Sequence, residues 1–350
     1  MKESCTAHRL GFTLLELLLV VFILSLIALS AVAIADRADE QLRYDDTNQH
    51  LQLIRRATIG DPLADFQGQK LPSGFVNDLG RLPLALGEMV TGLDRVTAAN
   101  LPPFALQTPV FDPTPNDEGF NNTSGDETTV AGVQLLKGFR GPYLHLPPNQ
   151  SAFRDGWANV NTDPTEDLWN YGWNVTPTAD TLNVQTLGSD GQITLASDDP
   201  YRLDVGDTIL ASDWQTIVES WTVSLENVTG GTLDLTNGGV NPAPEFRMRL
   251  LVFVAGIWRQ FTSNRQQVSS FQPGETGRVV FTFQADSSLT PNPVPGAAPL
   301  GRHLLVLMED PNGTLHDNDD AVYLYNSAPL TAQVMFFPRT ERPTIVLSLK

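Results

Sequence analysis

Residues 12–35 read FTLLELLLVVFILSLIALSAVAIA, a stretch with one charge, Glu16, and neither Gly nor Pro. As a helix rising about 1.5 Å per residue it would be about 36 Å long, enough to cross a hydrocarbon core of about 30 Å. A secretory signal peptide is the competing reading, but its apolar region runs for only about 7–15 residues and ends at a small-x-small site. Here no Gly or Pro follows Gly11 until Gly60. The pattern continues into Asp36–Ala57, a polar stretch in which Leu42, Leu51, Ile54 and Ala57 are the candidate buried points. The sequence therefore predicts one continuous helix over residues 12–59, about 70 Å long, with residues 12–35 as a transmembrane segment and Gly60-Asp61-Pro62 as its stop. Lys2 and Arg9 precede the span, while the residues after it are mixed in sign. The positive-inside tendency then places residues 1–11 in the cytoplasm and the chain beyond Asp36 outside an inner membrane. A carboxylate in such a span costs about 2.5–3.5 kcal/mol on insertion scales, so Glu16 should be neutral, interfacial or paired.

The 350-residue chain as a whole is acidic. It has 22 Lys+Arg against 40 Asp+Glu, a formal charge of −18, which argues against nucleic acid as a partner because phosphate contacts need clustered cations. Hydrophobic residues at 41% supply a core, and an 18% charged fraction is too low for a wholly disordered chain. The length suits two or three domains. Gly 27 and Pro 25 together imply many turns and a β-rich body. A single cysteine, Cys5, excludes an internal disulfide and a cysteine-rich metal site.

Gly11-Phe12-Thr13-Leu14-Leu15-Glu16, followed by LLLVVFIL, resembles the class III signal of type IV prepilins and type II secretion pseudopilins. The resemblance implies that a prepilin peptidase cuts between Gly11 and Phe12 and that Phe12 is then N-methylated. It also implies that the mature helix assembles with other pilin or pseudopilin subunits into a filament. Glu16 would pair with the Phe12 amine of a neighbouring subunit, which offsets its desolvation and sets the axial register. Many pilins carry a proline in this helix; this chain has none, so no proline kink is expected. Cleavage would remove Lys2, Glu3 and Arg9, a net +1, taking the chain from −18 to −19, and would remove Cys5 as well.

Residues 60–213 then form a pilin-like globular domain with a loop-rich insertion at 60–135, of which Leu101–Thr129 reads as a surface excursion. Within it GPYL (141–144), LPP (146–148), DGWAN (155–159), WNYGW (169–173) and TLGSDG (186–191) resemble, in order, the sheet region of major pseudopilins, where a small antiparallel sheet packs on the helix and a calcium-binding loop follows. Gly156 stands where that family usually has Pro, and Ala158 where it usually has Gly. Trp157, Trp169, Tyr171 and Trp173 suit either a sugar-stacking platform or, more simply, core packing. Asp190, Asp198, Asp199, Asp204, Asp207 and Asp213 fall within 24 residues, with Arg202 the one cation among them. Calcium takes about six to eight oxygens from carboxylates and irregular backbone, whereas aspartate is also simply common in turns. The resemblance implies Asp190 and Asp207 as side-chain ligands and the Leu187 carbonyl as a backbone ligand, with Asp198 as a further candidate.

From Trp214 onward short strand-like runs such as FRMRLLVFV, GRVVFTF and RHLLVLMED alternate with turns. The expected fold is α+β: a pilin-like helix on a small sheet, followed by an immunoglobulin-like β-sandwich over residues 214–350. No HExxH, GxSxG, P-loop or GxGxxG on a strand-to-helix turn occurs, so no enzyme is expected. His316-Asp317-Asn318-Asp319-Asp320 reads as a solvated loop or a second cation site. The sequence thus points to a structural subunit of a pilus or secretion pseudopilus, minor in copy number because an extra domain on every subunit would crowd a filament. Its alternative role is an adhesin whose C-terminal sandwich binds a polysaccharide or a secreted protein.

Overall fold

The computed structural model describes residues 14–61, 65–66, 69–70, 73–111, 113, 127–193, 201–234, 245–268, 270–274, 278–283, 296–310, 320–337 and 341–350. Helix α1, Leu14–Ile59, is unbroken over 46 residues, as the lack of internal Gly and Pro requires. Gly60 ends it with φ 87, its N–H donating back to the Arg56 carbonyl at 2.8 Å. A Cβ at Gly60 would lie 2.4 Å from the Ser73 carbonyl oxygen, so glycine is required there for space as well as for φ.

Only one stripe of α1 is buried: Thr47, Leu51, Ile54, Ala57 and Thr58, spaced so that they share a face at 3.6 residues per turn. Against it lie α2 (Phe75–Leu79), α3 (Leu86–Thr91) and the strand Gly206–Ile209. That strand belongs to the small sheet foreseen from the sequence, Asn174–Pro177, Leu182–Gln185 and Gly206–Ile209, antiparallel throughout. Gly156 explains itself here: its N–H donates to Thr47 Oγ1 at 2.9 Å, and a Cβ would stand 2.0 Å from the Arg43 carbonyl. The family's usual proline could neither donate that bond nor come so close to α1. Ala158 adopts φ 58, the left-handed conformation that the family's usual glycine takes without strain.

The class is α+β. Beyond residue 214 the strands form two larger sheets. One has six strands, ordered Ile257–Thr262, Glu245–Val254, Gly301–Asp310 and Ala321–Val322, with Gln266–Gln267 and Thr331–Phe336 added on the two long strands. The other places Thr222–Asn227 between antiparallel Val279–Thr282 and parallel Ile345–Leu349. These sheets do not by themselves make an immunoglobulin-like sandwich. The long strand Glu245–Val254 is buried on both faces: Phe246, Met248, Leu250, Val252 and Val254 point into the main core, and Leu251 and Phe253 into a second cluster. That second cluster is completed by Phe111, Val130 and Leu135.

Within the stretch Leu101–Thr129, which the sequence suggested as a surface excursion, Leu101 lies in the main core and Phe111 in this second cluster. Burying each large apolar side chain contributes about 1.5–3 kcal/mol. The main core runs from Leu51 to Leu349 and includes residues on both sides of Asp213. The Ala255 N–H donates to the Leu79 carbonyl at 2.7 Å, and a Cβ on Gly80 would come 1.9 Å from the Phe253 carbonyl oxygen.

Candidate functional site

No other described residue packs around the first half of α1. Every large apolar side chain from Leu14 to Ile34 is between 47% and 84% exposed, on all sides of the helix. A helix apolar around its whole circumference is suited to lipid or to a bundle of like helices. α1 is the one helix among the described residues long and apolar enough to cross a membrane. The two serines in this half, Ser25 and Ser30, turn their hydroxyls onto the Phe22 and Ile27 carbonyls at 2.8 Å, which satisfies them without water. Glu16 lies in the first turn and is exposed, at the end of the helix where backbone N–H groups favour a negative charge. Gly11 and Phe12 lie outside the described residues.

Residues 6–32 match the prokaryotic N-terminal methylation motif. The protein is type IV prepilin-like at its N-terminus. That motif implies processing by a prepilin peptidase and assembly with other pilins, and the apolar helix is consistent with a membrane-anchored pilin. No curated protein and no solved structure gives a significant match to the chain.

The second candidate site, the acidic segment after Leu187, is arranged around arginine. Asp207, in the strand Gly206–Ile209, accepts from Arg55 Nη1 at 3.1 and 3.0 Å through its two oxygens. Asp213, in the short helix Ala211–Trp214, accepts from Arg55 Nη2 at 2.6 Å and from the Leu210 N–H at 3.2 Å. Burial pulls the Arg55 guanidinium down, but hydrogen bonds and charge from Asp207 and Asp213 outweigh it, and its pKa lies above the ordinary arginine value. Arg202 is taken by Glu40 of α1. Asp190 is exposed and its Oδ1 accepts from the Gln192 N–H at 2.9 Å, an Asx turn. Asp204 approaches Gly188, whose Cβ would fall 2.2 Å from Asp204 Oδ1. Asp198 and Asp199 lie outside the described residues.

Among the described residues no three His, Cys, Asp or Glu side chains gather around one point. Asp190 and Asp207 belong to no such group among the described residues. The repulsion that argued for a cation is met at Asp207 and Asp213 by Arg55, which is 152 and 158 residues away in the chain and could not be paired with them from spacing.

Two further features escaped the sequence reading. Asp155, 5% exposed, accepts from the Asn159 N–H at 3.0 Å and from Asn159 Nδ2 at 2.7 Å, and from Thr186 Oγ1. Asn159 Nδ2 also reaches the Gly188 carbonyl at 2.8 Å. DGWAN and TLGSDG are thus one hydrogen-bonded unit, and their recurrence in order was the available signal. Of the aromatic group, Trp173 is fully buried with its indole N–H on the Phe153 carbonyl at 2.8 Å, and Tyr171 is buried beside it in the core; Trp157 and Trp169 are half-buried. The loop His316–Asp319 lies outside the described residues, while Asp320 is buried between Arg247 and Arg249.

Arg55→Leu should lower the stability of the full chain in detergent by about 3–5 kcal/mol, because it strips a buried carboxylate of its counter-charge. Urea denaturation followed by tryptophan fluorescence measures this; a loss below about 1 kcal/mol would mean that the pairing does not hold the sheet to α1.

Proposed function

We propose that this chain is a minor, non-catalytic subunit of a type IV pilus or type II secretion pseudopilus. In this reading it is inserted with residues 1–11 in the cytoplasm, cut after Gly11 and N-methylated on Phe12. It then enters the filament through the apolar half of α1, with the β-rich body facing outward. The observation that carries the reading is the methylation motif at residues 6–32 on a helix whose following apolar surface is open on every side. Gly11→Arg should leave the leader attached, and Glu16→Ala should allow cleavage but reduce incorporation into filaments at least tenfold. Immunoblotting of membrane and sheared-filament fractions separates the two steps. Normal incorporation of Glu16→Ala would discard the charge-pairing role.

One observation favours an added binding role for the C-terminal part. A cavity of about 920 Å³ opens between Gln215–Thr222 and Glu341–Thr344. Gln215, which lines it, is 7% exposed, and neither atom of its amide has a hydrogen-bond partner among the described residues. An unmet buried amide costs about 1–3 kcal/mol, and a hydroxyl-rich or peptide ligand would satisfy both atoms at once. Gln215→Leu should reduce adherence or secretion while filament assembly continues; full activity of this variant would remove the cavity from consideration.

Calcium held by Asp190, Asp207 and the Leu187 carbonyl, with Asp198 as a further candidate, is a separate proposal, supported by the six aspartates between 190 and 213. If EGTA leaves the melting temperature and protease resistance of the full chain unchanged, the acidic segment is held by its arginines alone.

A further inference from the structure

Lys137 is the single lysine between residues 71 and 349, and it is in the core. It ends the strand Leu135–Lys137 and is 2% exposed. Its Nζ donates to the main-chain carbonyl of Asn77, on α2, at 2.8 Å. Among the described residues no carboxylate comes within ion-pair distance of Nζ; Asp78, the acid that acts on it through space, is committed to Arg140 and Tyr143. A buried ammonium without a paired acid is strongly disfavoured. Burial accordingly pushes the amine down to about 8, with Arg302 adding to the effect and Asp78 opposing it, so a neutral, nucleophilic nitrogen is accessible near neutral pH.

The Asn77 side chain is unmet in a complementary way. It is 8% exposed. Its Nδ2 donates to Asp78 Oδ1 at 2.6 Å, and its Oδ1 has no hydrogen-bond partner among the described residues. Gly301 leaves room for that oxygen, since a Cβ there would stand 2.4 Å from Oδ1. An amine that is poorly accommodated as a cation thus sits on the main chain of the very residue whose carboxamide is poorly accommodated as a primary amide. A carboxylate touches the nitrogen that would have to leave.

We propose that Lys137 and Asn77 are joined by an intramolecular isopeptide bond. The neutral Nζ attacks Asn77 Cγ once that side chain turns toward the amine held at its own carbonyl. The Nζ–Cγ bond forms and the Cγ–Nδ2 bond breaks. The proton lost from Nζ passes through the Asp78 carboxylate to Nδ2, which departs as ammonia, so the step is balanced with no oxidant, reductant or outside reagent. The product is a neutral secondary amide in a site that disfavours charge. It ties α2 to a strand 60 residues later, a closure that a chain with Cys5 as its only cysteine cannot make with sulfur.

Intact mass of the purified full-length chain tests this directly, together with a tryptic map. Expected are a mass short by one ammonia, an uncut Lys137-Gly138 bond, and one branched peptide joining the Asn77 and Lys137 fragments. Lys137→Arg and Asn77→Ala should each restore the missing mass and abolish the branch. A wild-type mass equal to that of the sequence, or an ammonia loss confined to an unbranched peptide as in a succinimide, overturns the proposal. The wild-type measurement decides whether or not the variants fold, and the map reads the link independently of N-terminal processing.

Discussion

One helix has to satisfy two surroundings, and the rest of the molecule is arranged by that demand. The apolar half of α1 offers nothing that a water-soluble body could pack on without closing it off from lipid or from neighbouring helices. The body must therefore hold on through a stripe of five residues near the other end, Thr47 to Thr58. So narrow a seat cannot be held by apolar burial alone. Thr47 accepts from Gly156, Arg55 grips two aspartates, and Glu40 takes Arg202. These polar contacts fix the rotation of the body about the helix axis, which smooth apolar packing would leave loosely defined.

Distance from the helix is then gained by layers. The small sheet and helices α2 and α3 lie directly on α1, and the six-stranded sheet lies beyond them, with residues from both halves of the chain in one main core. Because its central strand is buried on both faces, that sheet depends on Phe111, Val130 and Leu135 as much as on its own strands. The C-terminal strands share that core with the helices and the small sheet nearer α1.

What could be read from the sequence was whatever is local in the chain. The span Phe12–Ala35, the stop at Gly60 and the strands after Trp214 follow from runs and turns of a few residues, whereas the small sheet was implied by the resemblance of the pieces from GPYL to TLGSDG to major pseudopilins. What could not be read required partners far apart. In the strand-like run FRMRLLVFV, Arg247 and Arg249 are buried on Asp320, which stands 71 residues beyond Arg249 and could not be paired with it from spacing. Likewise the aspartates after Leu187 looked short of cations only while Arg55 was counted as part of a distant helix.

The grip of the body on α1 also sets how a load would travel. Tension applied along the helix axis would reach the body through Gly156 on Thr47 and through Arg55 on Asp207 and Asp213, contacts spread over about two turns of α1 that would share the load. Bonds sheared together yield only when several fail at once, whereas bonds opened in succession yield one at a time. A protein anchored in this way would resist being drawn off its helix far better than the small area of its seat suggests.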